Sequence, residues 1–207
     1  MKYKYPDAAI LVFCKAPVAG QVKTRLMPQL SAEQAVDVHI ELTERTLSLL
    51  NNSYFCPIQL WCSLGTSHLF FDDCANKYKV SLHTQQGKDL GERMYHAINT
   101  ALTTSSSVLL IGCDCPSFES NDFEFAITAL EAENDVVIAP AEDGGYVMIG
   151  MTQAQPQLFS NMTWGHDLVL NDTRHRLAEL DLKYIETRPH WDVDTANDLQ
   201  RYKRTKI

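Results

Sequence analysis

The stretch that most constrains this chain is Ala8–Phe13, a continuous apolar run that breaks at once into a basic, turn-forming segment. The run is too short for a helix and rich in branched side chains. It predicts a strand buried on both faces, as strands of a parallel sheet are. Lys15, Ala16, Pro17, Val18, Ala19 and Gly20 then form a turn, and Lys23, Thr24 and Arg25 follow directly. Cations and a hydroxyl on a loop after a buried strand make a receptor for phosphate. Backbone N–H groups near Gly20 can meet oxygens, while Lys15, Lys23 and Arg25 supply charge. Neither the G-x-x-x-x-G-K-[ST] loop nor the G-x-G-x-x-G fingerprint is present.

The net charge of −8 makes this basic loop stand out and argues against a nucleic-acid surface as the main role. The 207 residues are 45% hydrophobic and 21% charged, ordinary for a globular protein, and the expectation is one domain over 1–207. No apolar run is long enough to span a bilayer, and the start reads as the first strand rather than a signal peptide. Six cysteines show no C-x-x-C pair and no zinc-ligand spacing. Cys14, Cys62 and Cys113 lie in or beside apolar runs, as buried free thiols do, and Cys113 and Cys115 read as packing thiols beside Asp114. A reducing cytoplasm is the expected location.

Strands and helices alternate along the rest of the chain. Ser31 and Gln34 form a capping box for a helix running to about Leu50, with Ala35, Val38, Leu42 and Leu49 on its inner face. Strands are expected at Ile58–Cys62, Val80–Thr84, Val108–Ile111, Val136–Ala139, Tyr146–Met151 and Lys183–Glu186. Helices are expected at His68–Tyr78, around Met94 to Leu102, after a cap at Asn121 and Glu124 with Phe125 and Leu130 inward, through Leu177 and Leu180, and after Thr195 with Asp198. This alternation predicts an α/β fold with a mostly parallel sheet, and the hairpin around Glu142–Gly145 predicts one antiparallel strand within it. Ligands bind outside the carboxyl ends of the strands of such sheets. The basic loop, the turn Gln85–Gly91, Asp114 and the loop Glu142–Gly145 all fall there.

Asp114 directly follows an apolar strand and precedes Pro116, which disfavours helix at Cys115. A carboxylate in that position is poorly placed for stability and well placed to meet a cation. Asp192 and Asp194, two apart before a capped helix, offer a second acidic group; Asp192 can also merely cap a turn. Acidic residues from distant segments facing a basic loop suit a magnesium ion that bridges nucleotide phosphates. The loop Asp143-Gly144-Gly145 reads equally as a ligand contact or an acidic hairpin turn. His166 beside Trp164 offers a general base and a stacking platform, or a structural histidine.

Taken in order, Lys15-x-Pro17-x-x-Gly20-x-x-Lys23-Thr24-Arg25-Leu26, Leu90-Gly91-Glu92-Arg93-Met94, Gly112-x-Asp114-x-Pro116, Asp143-Gly144-Gly145-Tyr146 and Asp192-x-Asp194-Thr195-x-x-Asp198-Leu199 carry a resemblance. From Ala8 to Leu199 the chain resembles the glycosyltransferase-A-like proteins called selenodomain-associated transferases. In its basic loop and its Asp-x-Asp-Thr segment it is also similar to phospholactate guanylyltransferases. The resemblance implies the nucleotide-diphospho-sugar transferase fold, a three-layer sandwich with a mostly parallel central sheet. It implies a nucleotide donor, a small-molecule acceptor and Mg2+ or Mn2+. By it, Lys23 and Arg25 meet the donor's phosphates, and Asp114 and Asp194 hold the metal. Gln85, Gly87 and Gly91 lie near base or ribose, and Asp143–Tyr146 lie near the acceptor. The chain lacks both the G-x-G-x-R loop of sugar nucleotidylyltransferases and the strand-end D-x-D of metal-dependent glycosyltransferases. Nucleotidyl and glycosyl transfer therefore both stay open, and so does a non-catalytic nucleotide-binding or partner-binding role.

Overall fold

The computed structural model describes residues 2–205, so the extreme ends of the 1–207 span lie outside the described residues. Strand β1 (Ala8–Lys15) runs parallel between β2 (Ile58–Ser63) and β4 (Ser107–Gly112), with Val12 opposite both Leu60 and Ile111. Successive strand side chains point to opposite faces. Ala8, Ile10, Val12 and Cys14 therefore enter one core, and Ala9 and Leu11 enter another. The first core is completed by Leu47 and Leu50 of α1 (Ala32–Ser53), Phe71 and Cys74 of α2 (Leu69–Tyr78), and Phe123, Ile127 and Leu130 of α4 (Ser120–Glu131). The second is closed by Met94 and Ile98 of α3 (Leu90–Ala101) and Leu170 and Leu177 of α5 (Val169–Glu179). Helices cover both faces of the sheet, which gives three layers.

The seven strands lie in the order β3-β2-β1-β4-β6-β5-β7, with β3 at Ser81–Thr84, β5 at Val136–Pro140, β6 at Tyr146–Met151 and β7 at Tyr184–Glu186. Every pairing is parallel except those of β6, which is antiparallel to β4 and β5. The one expected antiparallel strand is thus β6. Its reversal has a functional effect: the start of β6 sits at the same sheet edge as the carboxyl ends of β1, β2, β3 and β4. A third apolar cluster joins Leu26, Leu42, Trp191 and Val193 to Leu199 and Tyr202 of α6 (Ala196–Arg204), tying the basic loop to the last helix. Among the described residues no helix is long and apolar enough to cross a membrane.

One expected helix starts too late in the sequence reading, and one of its two inward residues is misplaced. α4 starts two residues earlier than a cap at Asn121 and Glu124 implies: the Asp122 carboxylate accepts from the Glu119 amide at 2.8 Å. Asn is a far better cap than Glu, which is why Asn121 misleads. Leu130, expected inward, is buried together with Phe123, while Phe125, also expected inward, is 43% exposed. Phe123→Ala should cost about 3–5 kcal/mol and Phe125→Ala no more than about 0.5 kcal/mol, read from denaturant midpoints. Equal losses would contradict this placement.

Candidate functional site

The basic loop is shaped by its own backbone. Gln21 N donates to Val18 O at 3.0 Å, and Leu26 N to Lys23 O at 2.9 Å, closing a short 3-10 turn over Thr24–Leu26. Leu26, wholly buried in the third cluster, anchors that turn. Lys23 enters it in the left-handed region (φ 47°), a strained conformation for a side-chain-bearing residue, and turns back into the fold with only 5% of its side chain exposed. Its Nζ donates to Asp114 Oδ2 at 2.7 Å and to Asp194 Oδ1 at 3.1 Å. Arg25 Nη1 donates to Asp194 Oδ2 at 3.2 Å.

These carboxylates come from segments eighty residues apart in sequence, at a rough count, and a backbone bond joins them: Val193 N donates to Asp114 O at 3.0 Å. The Asp192–Asp194 segment is held from its other side too. The Thr195 and Asp194 amides donate to Asp198 Oδ2 at 2.7 and 3.3 Å, capping α6. Arg201 of α6 forks onto Glu142 at 2.7 and 3.1 Å, with its guanidinium 4.2 Å from the Trp191 ring centre. Gly112 leaves room for the Asp114 carboxylate, since a Cβ there would lie 2.8 Å from Asp114 Oδ1 and push that carboxylate aside.

Carboxylate oxygens of Asp114, Asp192 and Asp194 all lie within 4.8 Å of one another. An octahedral Mg2+ with ligands at about 2.0–2.1 Å places neighbouring oxygens about 3 Å apart, so small side-chain rotations seat the three on one ion. Oxygen donors of this kind fit a hard cation. Burial alone would push the Lys23 ammonium down, but Asp114 and Asp194 outweigh it and hold the group charged well above the usual lysine range. Burial pushes Asp114 up, and Lys23 reverses this and holds it below the usual carboxylate range. At Asp192 the pull of Lys23 is the weakest of the influences. Burial, reinforced by Asp114, Asp194 and Asp143, raises its carboxyl to about 7.

Lys15, Lys23, Thr24, Arg25, Gln85, Asp114 and Asp194 line one cleft of ≈ 330 Å³. Pro17 and Gly20 shape the loop beside it without lining it. Gln85 is oriented by its Nε2, which donates to Trp61 O at 2.9 Å, and Gly87 O accepts from Arg93 Nε at 3.1 Å. Gly91 lies against the Trp164 loop, where a Cβ would come within 2.5 Å of Phe159 O and 3.0 Å of the Trp164 ring. Asp192 and Tyr146 line an adjoining, more apolar pocket of ≈ 180 Å³ that shares Phe13, Leu90, Gly112 and Asp114 with the first. Asp143 Oδ1 accepts from Gly145 N at 3.0 Å, making the hairpin turn, and Leu170 N donates to Gly144 O at 2.9 Å. Trp164 meets Tyr146 edge-on at 6.5 Å, and His166 Nδ1 accepts from Leu168 N at 3.1 Å. Neither Trp164 nor His166 lines the Lys23 cleft.

Sequence reasoning missed Gln21, His39 and Arg93, which also line the cleft. Arg93 stood in a quoted motif, and its place on the first turn of α3 beside the Gln85 loop was the available signal. His39 lies on the buried side of α1, with Nε2 2.9 Å from Lys15 O. Nothing in its sequence neighbourhood separates it from a core histidine.

The raised Asp192 carboxyl makes a pH prediction for metal-free protein. Between about pH 4 and 7 the unfolded chain ionises Asp192 while the folded chain keeps the proton. Folding is penalised progressively across that window; the cost is complete above pH 7 and absent below about pH 4. Asp192→Asn should therefore raise stability at pH 8 by about 2–4 kcal/mol, a Tm gain of about 5–15 °C, shrinking to nothing near pH 4. A Tm difference that does not change with pH would contradict it.

The sequence matches the model of a family described as "Uncharacterized protein conserved in bacteria (DUF2064)" over residues 46–166. That segment holds Gln85, Arg93, Asp114 and the Asp143–Tyr146 turn. No curated protein matches the chain. A candidate nucleotide-diphospho-sugar transferase from Desulfovibrio desulfuricans G20 is similar in structure, with a TM-score of 0.88 and 29% identity, over 97% of this chain and 88% of that one. A cytidylyltransferase from Leptospira borgpetersenii serovar Hardjo-bovis (strain JB197) gives a TM-score of 0.64 at 13% identity, over 96% and 86% of the two chains. The 4-diphosphocytidyl-2C-methyl-D-erythritol synthase from Anaerococcus prevotii DSM 20548 gives 0.65 at 12%, over 99% and 98%. At such identities the last two share the fold alone. The architecture is that of the nucleotide-diphospho-sugar transferases, and the chain belongs to the DUF2064 family.

Proposed function

We propose that this protein is a divalent-metal-dependent transferase, formed by a single domain over 1–207, that takes a nucleotide donor and a small-molecule acceptor. The observation that carries this reading is one cleft in which Lys23 bridges Asp114 and Asp194, with Lys15 and Arg25 at its wall and Asp192 beside it. The similarity to the D. desulfuricans protein and the motifs shared with selenodomain-associated transferases support it. Asp114, Asp192 and Asp194 would hold Mg2+ or Mn2+, which supplies a bridge between phosphate oxygens and offsets their charge.

The protein's own groups do the rest. Lys15, Lys23, Thr24 and Arg25 meet the donor's phosphates, and Lys23 and Arg25 face the charge that grows on the leaving group. Gln85 at the cleft wall, with Gly87 and Gly91 in the turn and helix start behind it, would lie near base or ribose. Tyr146 lines the adjoining pocket that would take the acceptor, with Trp164 edge-on to its ring; Asp143, Gly144, Gly145 and His166 would contribute from the neighbouring turns. If the acceptor attacks the α-phosphorus, pyrophosphate leaves; if it attacks a sugar carbon, a nucleoside diphosphate leaves. Both transfers depend on positioning and preorganised charge, which this cleft offers equally. The acidic balance does not suit a nucleic-acid substrate. Six buried, free cysteines suit the reducing cytoplasm.

Thermal unfolding across nucleoside triphosphates and nucleotide sugars, with and without Mg2+, tests the reading. A donor at about a hundred times its Kd contributes about 2.7 kcal/mol, a shift of about 5–10 °C. The expected result is a Mg2+-dependent shift with one nucleotide, lost in Asp114→Asn together with turnover. Release of pyrophosphate or of nucleoside diphosphate then assigns the transfer. A folded protein that responds to no nucleotide would sink the reading in favour of a non-catalytic role.

A further inference from the structure

Beside the carboxylates, the same cleft floor carries a second group of metal donors of different chemistry. Cys14 is the last residue but one of β1, His39 lies on α1 and Cys113 follows β4. Their sulfur and nitrogen atoms all lie within 4.8 Å of one another. We propose that Cys14, His39 and Cys113 form a site for a thiophilic d10 cation of the Zn2+ class, bound by two thiolates and one imidazole with its fourth position open to the cleft. This does not rest on the nucleotide reading.

The geometry is close to what a tetrahedral ion needs. Zinc–sulfur bonds of about 2.3 Å and zinc–nitrogen bonds of about 2.0–2.1 Å give a sulfur–nitrogen edge of about 3.6 Å. Cys14 Sγ and His39 Nε2 are 3.7 Å apart. All three side chains are buried, yet all three line the cleft, which provides both an entry path and room for a water ligand. Thr43 Oγ1 stands 3.7 Å from Cys14 Sγ on the closed side. In the metal-free protein His39 Nε2 pairs with Lys15 O, so binding would exchange that contact for the ion. A dication and two thiolates are together neutral, so occupation buries no net charge. Sulfur and imidazole donors select zinc-like ions, as the neighbouring oxygen donors select magnesium-like ones. Because the ligands come from three distant segments, no metal-ligand spacing announces them in the sequence.

The test uses the full chain, reduced and freed of metal, titrated with Co2+ as the probe. Thiolate-to-cobalt charge transfer and strong tetrahedral d–d bands should appear and saturate at one equivalent. They should vanish in the Cys14→Ser and Cys113→Ser variants. They should persist in Asp194→Asn and in Cys62→Ser, whose thiol pairs in register with Cys14 but lies outside the group. X-ray absorption of the Zn2+-loaded wild type avoids any dependence on variant folding, and should show two sulfur scatterers at about 2.3 Å plus nitrogen or oxygen. A shell without sulfur, or no saturable thiolate band in folded wild type, would overturn the proposal.

Discussion

An ammonium with 5% of its side chain exposed is stable only where charge meets it, and around Lys23 the structure is arranged so that it does. Desolvating such a group costs several kcal/mol, offset here by two charge-assisted hydrogen bonds to Asp114 and Asp194. The dependence runs both ways. Without Lys23, three carboxylates would face one another across less than 5 Å with little to compensate them. The strained turn that aims Lys23 inward is held by Leu26 in the third apolar cluster. The same cluster holds Val193 and, through it, Asp194. One packing unit therefore fixes both ends of the ion bridge, and the Val193–Asp114 backbone bond fixes the middle.

How much of this was legible in the sequence depended on how local the determining physics is. Ala8–Phe13 announced a buried strand because its apolar run is unbroken, and the alternation of elements announced the layers. The reversed β6 was legible from the hairpin that precedes it. The start of α4 was not, because Asn121 outranks Glu119 as a cap on local propensity alone, and the burial of Phe123 in place of Phe125 is a tertiary fact. In the site, Lys15, Lys23, Arg25, Asp114 and Asp194 stood out as strand-end charges and do line one cleft. His39 did not stand out, since its contacts with Lys15 and Cys14 join β1 to a helix well downstream of it. The raised Asp192 carboxyl was equally hidden, being a property of three carboxylates brought together by folding.

The reversal of β6 explains how one sheet edge accommodates so many groups. In an all-parallel sheet each crossover delivers one loop to the carboxyl edge. Here β5 and β6 are joined at that edge by a tight turn, so Pro140–Tyr146 adds a wall beside Asp114 without a further helix. The wall is not free to drift: Glu142 is forked by Arg201, the Glu142 amide donates to His190 O, and Gly144 is bonded to α5. The two pockets that meet at Asp114 are thus bounded by rigid elements on both sides, a requirement for holding two reactants at fixed separation.

The electrostatics of the cleft are incomplete in a way that favours a dication. Lys23 balances one of its two carboxylate partners, Arg25 reaches Asp194 from a largely exposed position, and Asp192 keeps its proton to about pH 7 rather than add another negative charge. A divalent ion beside Asp114 and Asp194 would reverse the sign of the field at Asp192 and favour its ionisation. Binding of such an ion and loss of the Asp192 proton are then linked, so affinity should rise with pH through the neutral range. The basic loop supplies the complement: Arg25 and Lys15 are exposed, while the Lys23 ammonium is buried against the carboxylates. Burial alone separates the three cations: Lys23 is fixed against the acids it orders, while Lys15 and Arg25 stand in solvent at the cleft wall.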